Sequence, residues 1–240
     1  MRLPRLSLIL IACALGLSAC QKAGEDKAFD AKVHAYLLNH PEVLQEMETK
    51  LQAQQDQQAA ASSKVAIVKY RDEVEHDPSD YVANPNGKIT VTEFYDYRCP
   101  FCSEVAPSLL TLIHDNPDVR FVFKDFVIHG DIAAEAASGA MMVKQNGGDF
   151  LGLYRDLMAA KGLDQARVEQ ILKAHGVDPA SLANPSFAQQ AANRFTSTQQ
   201  LALKLGIDGT PGFVVGDRLV AGADMNALNA AIAAARAGKS

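Results

Sequence analysis

Apolar and polar positions change rhythm several times along this 240-residue chain, and each change marks an element. After Arg2 and Arg5 comes the unbroken apolar run LILIACALGL, which ends in Leu17-Ser18-Ala19 and Cys20. Residues 21 to 28, QKAGEDKA, are small and charged and read as a short tether. Phe29, Val33, Tyr36 and Leu37 then fall at helical spacing, and Val43, Leu44, Met47 and Leu51 repeat it. Asn39-His40-Pro41-Glu42 lies between the two groups as the end of one helix and the start of the next. The second stripe is far in sequence from any core. Two readings stay open: it packs on its own domain, or it is buried against another chain. Residues 52 to 63, rich in Gln, Ala and Ser, either continue the helix or form a hinge.

From about residue 64 the pattern is that of a folded domain. Asn84-Pro85-Asn86-Gly87 is a turn, and KITVTEFYDY after it alternates like a strand. SEVAPSLLTLIHDN reads as a helix with Leu109, Leu112 and Ile113 inward, and VRFVFKDFVI as a second strand. Strand, helix and strand make a βαβ unit, which is normally parallel and right-handed. Residues from about 131 to 205 hold four stretches of helical periodicity and no convincing strand, which makes them a helical insertion. FVV and RLVAG follow as short strands around Gly216-Asp217, and MNALNAAIAAARA closes the chain as a helix. The expected fold is α/β (or α+β). A domain at 64–240 is preceded by a tether and helical stalk at 20–63.

Composition adds mainly exclusions. The net charge of −5 falls to −7 once Arg2 and Arg5 are removed, and no basic patch stands out, which argues against a nucleic-acid partner. The basic start, short apolar core and small residues before Cys20 read as a secretory signal at residues 1–19. The run is shorter than the roughly 20 residues that a spanning helix needs. LSAC also resembles the lipobox of bacterial lipoproteins. That resemblance implies cleavage before Cys20 and lipid on its sulfur, and Gln21 in place of Asp favours the outer membrane. The mature chain would then keep two free sulfurs, Cys99 and Cys102, in a compartment where disulfides persist.

These two cysteines form a CPFC at a strand-to-helix junction. Three chemistries compete for it. A zinc site needs about four ligands, and His114, His129 and His175 are scattered. A purely structural disulfide would close a very short loop and restrain little. A redox pair fits best, because the helix start supplies unpaired N–H groups that favour a thiolate on Cys99, with Cys102 one turn on. No metal and no separate cofactor are called for.

FYDYRCPFC, followed far downstream by GTPGFVVG, resembles the DsbA-like branch of the thioredoxin superfamily over roughly residues 64 to 240. The helical insertion is that family's layout, and the resemblance implies a thioredoxin-like fold. The stalk segment YLLNHPEVLQEM is similar to that of ScsC-type members, which implies a homo-oligomer, dimer or trimer. By resemblance, Cys99 matches the exposed nucleophile and Cys102 the buried resolving cysteine. Pro211 matches the cis-proline facing them, and Thr210 the residue whose backbone pairs with substrate. Glu93, six residues before Cys99, matches the buried acid, with Lys124 on the next strand as a candidate partner. Surface near Pro100, Phe101 and Phe213 is expected to hold an extended peptide. Phe101 offers the thiolate no hydrogen bond where strongly oxidising members carry His. A less depressed Cys99 pKa and a less oxidising disulfide are therefore expected. The implied activity is thiol:disulfide exchange on exported cysteine-containing proteins, served by a membrane redox partner in the periplasm. The rival is a non-catalytic or copper-binding surface lipoprotein that keeps the fold.

Overall fold

In the structure, a computed structural model, residues 27–238 are described. The signal at 1–19, Cys20 and most of the tether lie outside the described residues. The chain divides into two compact units between Gln55 and Asp56.

In the first unit, α1 (Lys27–Asn39) breaks at His40-Pro41 and α2 (Glu42–Lys69) begins. His40 Nδ1 lies 2.8 Å from Glu42 Oε1 beside the break. The apolar positions are open to solvent: Leu38 is 70% exposed, and Phe29, Leu44, Met47 and Leu51 are each more than half exposed. The segment left open as helix or hinge is helix. Nothing between Glu42 and Lys69 is Pro or Gly, so no residue there interrupts the i to i−4 ladder. The second unit starts inside that helix, at Asp56.

The second unit is built on a five-stranded sheet in the order β1-β3-β2-β4-β5. β2 (Ile89–Tyr95) and β3 (Val119–Asp125) pair in parallel, joined by α4 (Pro100–Asp115), as the βαβ reading requires. β4 (Gly212–Val215) runs antiparallel to β2, and β5 (Arg218–Ala221) antiparallel to β4. Two elements have no counterpart in the sequence reading: α3 (Arg71–Glu75) and β1 (Tyr81–Ala83), which pairs antiparallel with β3. At five and three residues they are too short to display a period. The insertion between β3 and β4 is α5 (Asp131–Gln145), α6 (Phe150–Ala159), α7 (Gln165–Ala174), a 3-10 turn at Pro179–Ala183, and α8 (Pro185–Leu205). α9 (Met225–Arg236) ends the described chain.

Alternation along the strands gives the sheet two buried faces. Val91, Tyr95, Phe121, Phe123, Phe213 and Val215 join α4, α6 and α9 in the larger core. Phe94 and Val214 face the other way, onto Ile67 of α2, Val74 of α3 and Leu201, Ala202 and Leu205 of α8.

Candidate active site

The site forms where β2 ends and α4 begins. Cys99 is the N-cap of α4, in extended conformation, and Pro100 occupies the first helical position, where a missing N–H costs nothing. The approach is pinned by Asp96. Its carboxylate accepts from Arg98 N at 2.7 Å and from Ile128 N and His129 N at 2.8 and 3.0 Å. This ties the turn before Cys99 to the strand-to-helix loop after β3.

Cys99 and Cys102 are free thiols and both are buried. Cys99 is only 3% exposed, so the expected exposed nucleophile is covered. Its thiol donates to Thr210 O at 3.1 Å, and the Thr210–Pro211 peptide bond is cis. The loop that bears on the cysteines is therefore what covers the first of them.

The Cys99 thiol is lowered from the ordinary value of 9.0 to about 5. Hydrogen bonding from Cys102 is the largest cause. Burial opposes it, and the Thr210 side chain and the backbone of Cys102 and Phe101 add to it. Phe101 and Cys102 are the second and third helical residues, whose N–H groups have no acceptor inside the helix. Thr210 Oγ1 is buried without a hydrogen-bond partner while the sulfur is a thiol. A thiolate gives that hydroxyl an acceptor. Cys102 is pushed far up by its hydrogen bond to Cys99 and by burial, so the pair holds one negative charge, on Cys99.

Glu93 lies on β2 in the central part of the sheet and is 2% exposed. Burial raises its carboxyl from 4.5 to about 8, with Tyr154 pulling the other way. Tyr154 of α6 donates to Glu93 Oε1 at 3.1 Å and to Oε2 at 3.2 Å. Lys124 does not pair with Glu93. The parallel register sets Phe123 opposite Glu93 and Lys124 opposite Phe94, so Lys124 points to the other face. There it donates to Asp80 at 2.6 Å, and Arg194 of α8 contacts the second Asp80 oxygen at 2.7 Å. Tyr154, which does touch the acid, is absent from the sequence reading; in LGLYRDLM it carries no signal beyond the apolar face of a helix.

Among the expected peptide-holding residues, Phe101 is 57% exposed beside the cysteines. Phe213 is not surface. It is fully buried on β4, opposite Glu93. A cleft of about 530 Å³ is lined in part by Tyr97, Pro100, Ser103, Met158 and Leu163. Among the described residues no group of three or more His, Cys, Asp or Glu side chains is arranged to hold a metal. Chemically, the site offers a stabilised thiolate, a thiol one turn away and a buried acid able to carry a proton near neutral pH.

The comparisons agree with this geometry. The DSBA-like thioredoxin domain matches residues 90–233, and the Copper resistance protein ScsC N-terminal domain matches residues 25–58. A linker-deletion mutant of Proteus mirabilis ScsC superposes with a TM-score of 0.67 at 26% identity, covering 92% of this chain and 99% of that one. A thioredoxin-like oxidoreductase from Silicibacter pomeroyi gives 0.64 at 34% identity, covering 69% and 97%. Na(+)/H(+) antiporter NhaA 1 of Salinispora arenicola is 28% identical over 167 residues, 66% of this chain. The chain spans only about a quarter of the length of the first curated relatives it matches. Among the described residues no helix is long and apolar enough to cross a membrane.

Proposed function

The chain belongs to the DSBA-like thioredoxin domain family, and from that premise we propose that it is a thiol:disulfide oxidoreductase acting on the cysteines of exported proteins. The observation that carries this reading is the placement of Cys99 as the N-cap of α4, its sulfur 3.1 Å from Thr210 O beside the cis Thr210–Pro211 bond.

In the oxidising direction a substrate thiolate attacks the Cys99–Cys102 disulfide and bonds to Cys99, and Cys102 leaves. A second substrate thiolate then attacks the mixed disulfide and Cys99 leaves as the favoured thiolate. In the reducing or isomerising direction Cys99 attacks a substrate disulfide. Either the substrate reshuffles and releases Cys99, or Cys102 resolves the intermediate and the enzyme pair is oxidised. No separate cofactor is needed. Pro211 shapes the wall facing the pair. Thr210 presents backbone to an extended peptide by strand addition, and Pro100 and Phe101 supply adjoining surface. Glu93 exchanges a proton with Cys102.

The lowering of the Cys99 thiol supports its role as the attacking and leaving sulfur. Phe101, which offers the thiolate no hydrogen bond, leans toward isomerisation or reduction, which requires electrons from a membrane redox partner. The exposed apolar stripe of α1 and early α2, together with the match at residues 25–58, supports a homo-oligomer, dimer or trimer, formed through the stalk. The signal at 1–19 and Cys20 support a periplasmic location with a lipid anchor at the outer membrane.

Cys102→Ser expressed in cells tests the enzymatic reading, because it strands substrates on Cys99 as mixed disulfides. Capture of exported cysteine-containing proteins is expected. No capture would favour the rival, a non-catalytic or copper-binding lipoprotein. Reactivation of scrambled ribonuclease by the mature protein, lost when the residues before Asp56 are removed, would assign isomerisation to the oligomer.

A further inference from the structure

Glu93 is surrounded on all sides, and its surroundings are specific. Cys99 and Cys102 face it from α4, Asp125 from the end of β3, and Tyr97 from the turn after β2. Phe123 and Phe213 flank it in the two neighbouring strands. None of these supplies a hydrogen bond to the carboxyl. Among the described residues that role falls to Tyr154 alone, 61 positions away in the insertion, whose hydroxyl is shared between the two oxygens.

The Tyr154 ring cannot easily swing. It is fully buried and meets Tyr95 at 5.4 Å, Phe123 at 5.2 Å and Tyr97 at 6.1 Å in tilted or edge-on contacts. α6, which carries it, packs against α4, the helix of the two cysteines. The start of α6 is capped by Asp149, which accepts from Gly152 N at 2.9 Å. The Tyr95 and Tyr97 hydroxyls do not compete for the acid. They lie 3.3 Å apart, and Tyr95 donates to Asp125 at 2.5 Å.

We propose that Tyr154 is a positioning residue for the exchange reaction: by donating to both oxygens of Glu93, the inserted helix holds the acid in one orientation toward Cys102 and sets the pH at which it takes up the Cys102 proton. This rests on the reading of Glu93 as the proton-handling acid. The step balances within the site. Cys102 gives its proton to the Glu93 carboxylate, its sulfur bonds to Cys99, and the Cys99–substrate bond breaks with the electron pair leaving on the substrate sulfur. The enzyme pair is oxidised and the substrate disulfide reduced. A donor to the carboxylate favours the form that accepts a proton, so losing it keeps Glu93 protonated to higher pH.

The test uses the reduced mature protein and the chromogenic aromatic disulfide 5,5′-dithiobis(2-nitrobenzoate). One coloured thiolate is released when Cys99 attacks, and a second when Cys102 resolves the mixed disulfide. The pH profile of the second phase reads the acid, and the first phase reads Cys99. Glu93→Gln should remove the limb of the second phase that lies near neutral pH. Tyr154→Phe should keep that limb and move it upward by about one pH unit, as expected for one hydrogen bond to a charged group, with the first phase unmoved. A purely structural tyrosine would lower the melting temperature and leave the limb in place, and that result overturns the proposal. If Glu93→Gln leaves the limb untouched, the reading of Glu93 fails and the proposal with it. Should Tyr154→Phe not fold, the reduced-minus-oxidised infrared spectrum of the unaltered protein decides. A Glu93 carbonyl band at the frequency of a hydrogen-bonded acid supports the proposal, and one at the frequency of an acid without a donor overturns it.

Discussion

Glu93 and Lys124 occupy adjacent strands of one sheet, and both are buried to within 2% of completely. Their surroundings are opposite. Lys124 pairs with Asp80, Asp80 also pairs with Arg194, and Arg194 in turn approaches Asp125 at 3.5 Å, so each of these charges has an opposite charge within reach. Glu93 has a tyrosine hydroxyl as its hydrogen-bond donor among the described residues, with the two cysteines and the like-charged Asp125 nearby and no cation. A buried ion inside a network of counter-charges has its charge offset there. A buried acid given one neutral donor is left near its point of ionisation. Lys124 is held by counter-charge on one face of the sheet, and Glu93 by a neutral donor on the other.

The largest expected effect comes from breaking the first face. Asp80→Ala leaves Lys124 and Arg194 with too little negative charge, and should cost about 3–5 kcal/mol in denaturant unfolding. The pH profile of thiol exchange should stay where it was. A moved profile would mean that the two faces are coupled.

Glu93→Gln sharpens the contrast from the other side. The native acid is held at about 8 against 4.5 for a free glutamate, so folding binds a proton. The contribution of Glu93 to stability should therefore be most favourable below about pH 4.5 and decline as pH rises through the window up to about 8. The glutamine variant should flatten that decline, which is worth on the order of 3 kcal/mol by pH 7. Chemical denaturation across that window would show it, and an unchanged slope would remove Glu93 from the account.

Next comes the redox state. The Cys99 thiolate exists only in the reduced form, and its folded value near 5 is depressed from 9.0. Its stabilising contribution is complete above about pH 9 and is lost as pH falls toward 5. Calorimetry should find the melting temperature of the reduced protein gaining on that of the oxidised one as pH rises between these limits. The smallest effect belongs to Thr210→Val. It removes one hydroxyl donor to the thiolate and should raise the Cys99 alkylation pKa by about one pH unit or less.

Much of the molecule is legible in its sequence, for identifiable reasons. The two long strands, α4 and the insertion helices show because their apolar periods are local. Cys99, Cys102 and Pro211 show because a short motif carries their chemistry. What does not show depends on distant pairing. Lys124 suggests itself as a partner of Glu93 because it is charged and nearby in strand order, but one residue of register decides the face. Phe213 reads as surface until the β2–β4 pairing sets it opposite Glu93. Tyr154 needs the packing of a helix folded back from 61 residues away.

The tyrosine cluster also has an optical consequence. The chain contains six tyrosines and no tryptophan, so tyrosine emission is not drained into an indole acceptor. Three of the six, Tyr95, Tyr97 and Tyr154, are packed around the acid and the cysteine pair. A tyrosine that hands its hydroxyl proton toward a carboxylate is quenched, and so is one beside a disulfide. The protein thus carries a built-in fluorophore whose brightness follows proton and electron traffic at the site, readable in real time without a dye.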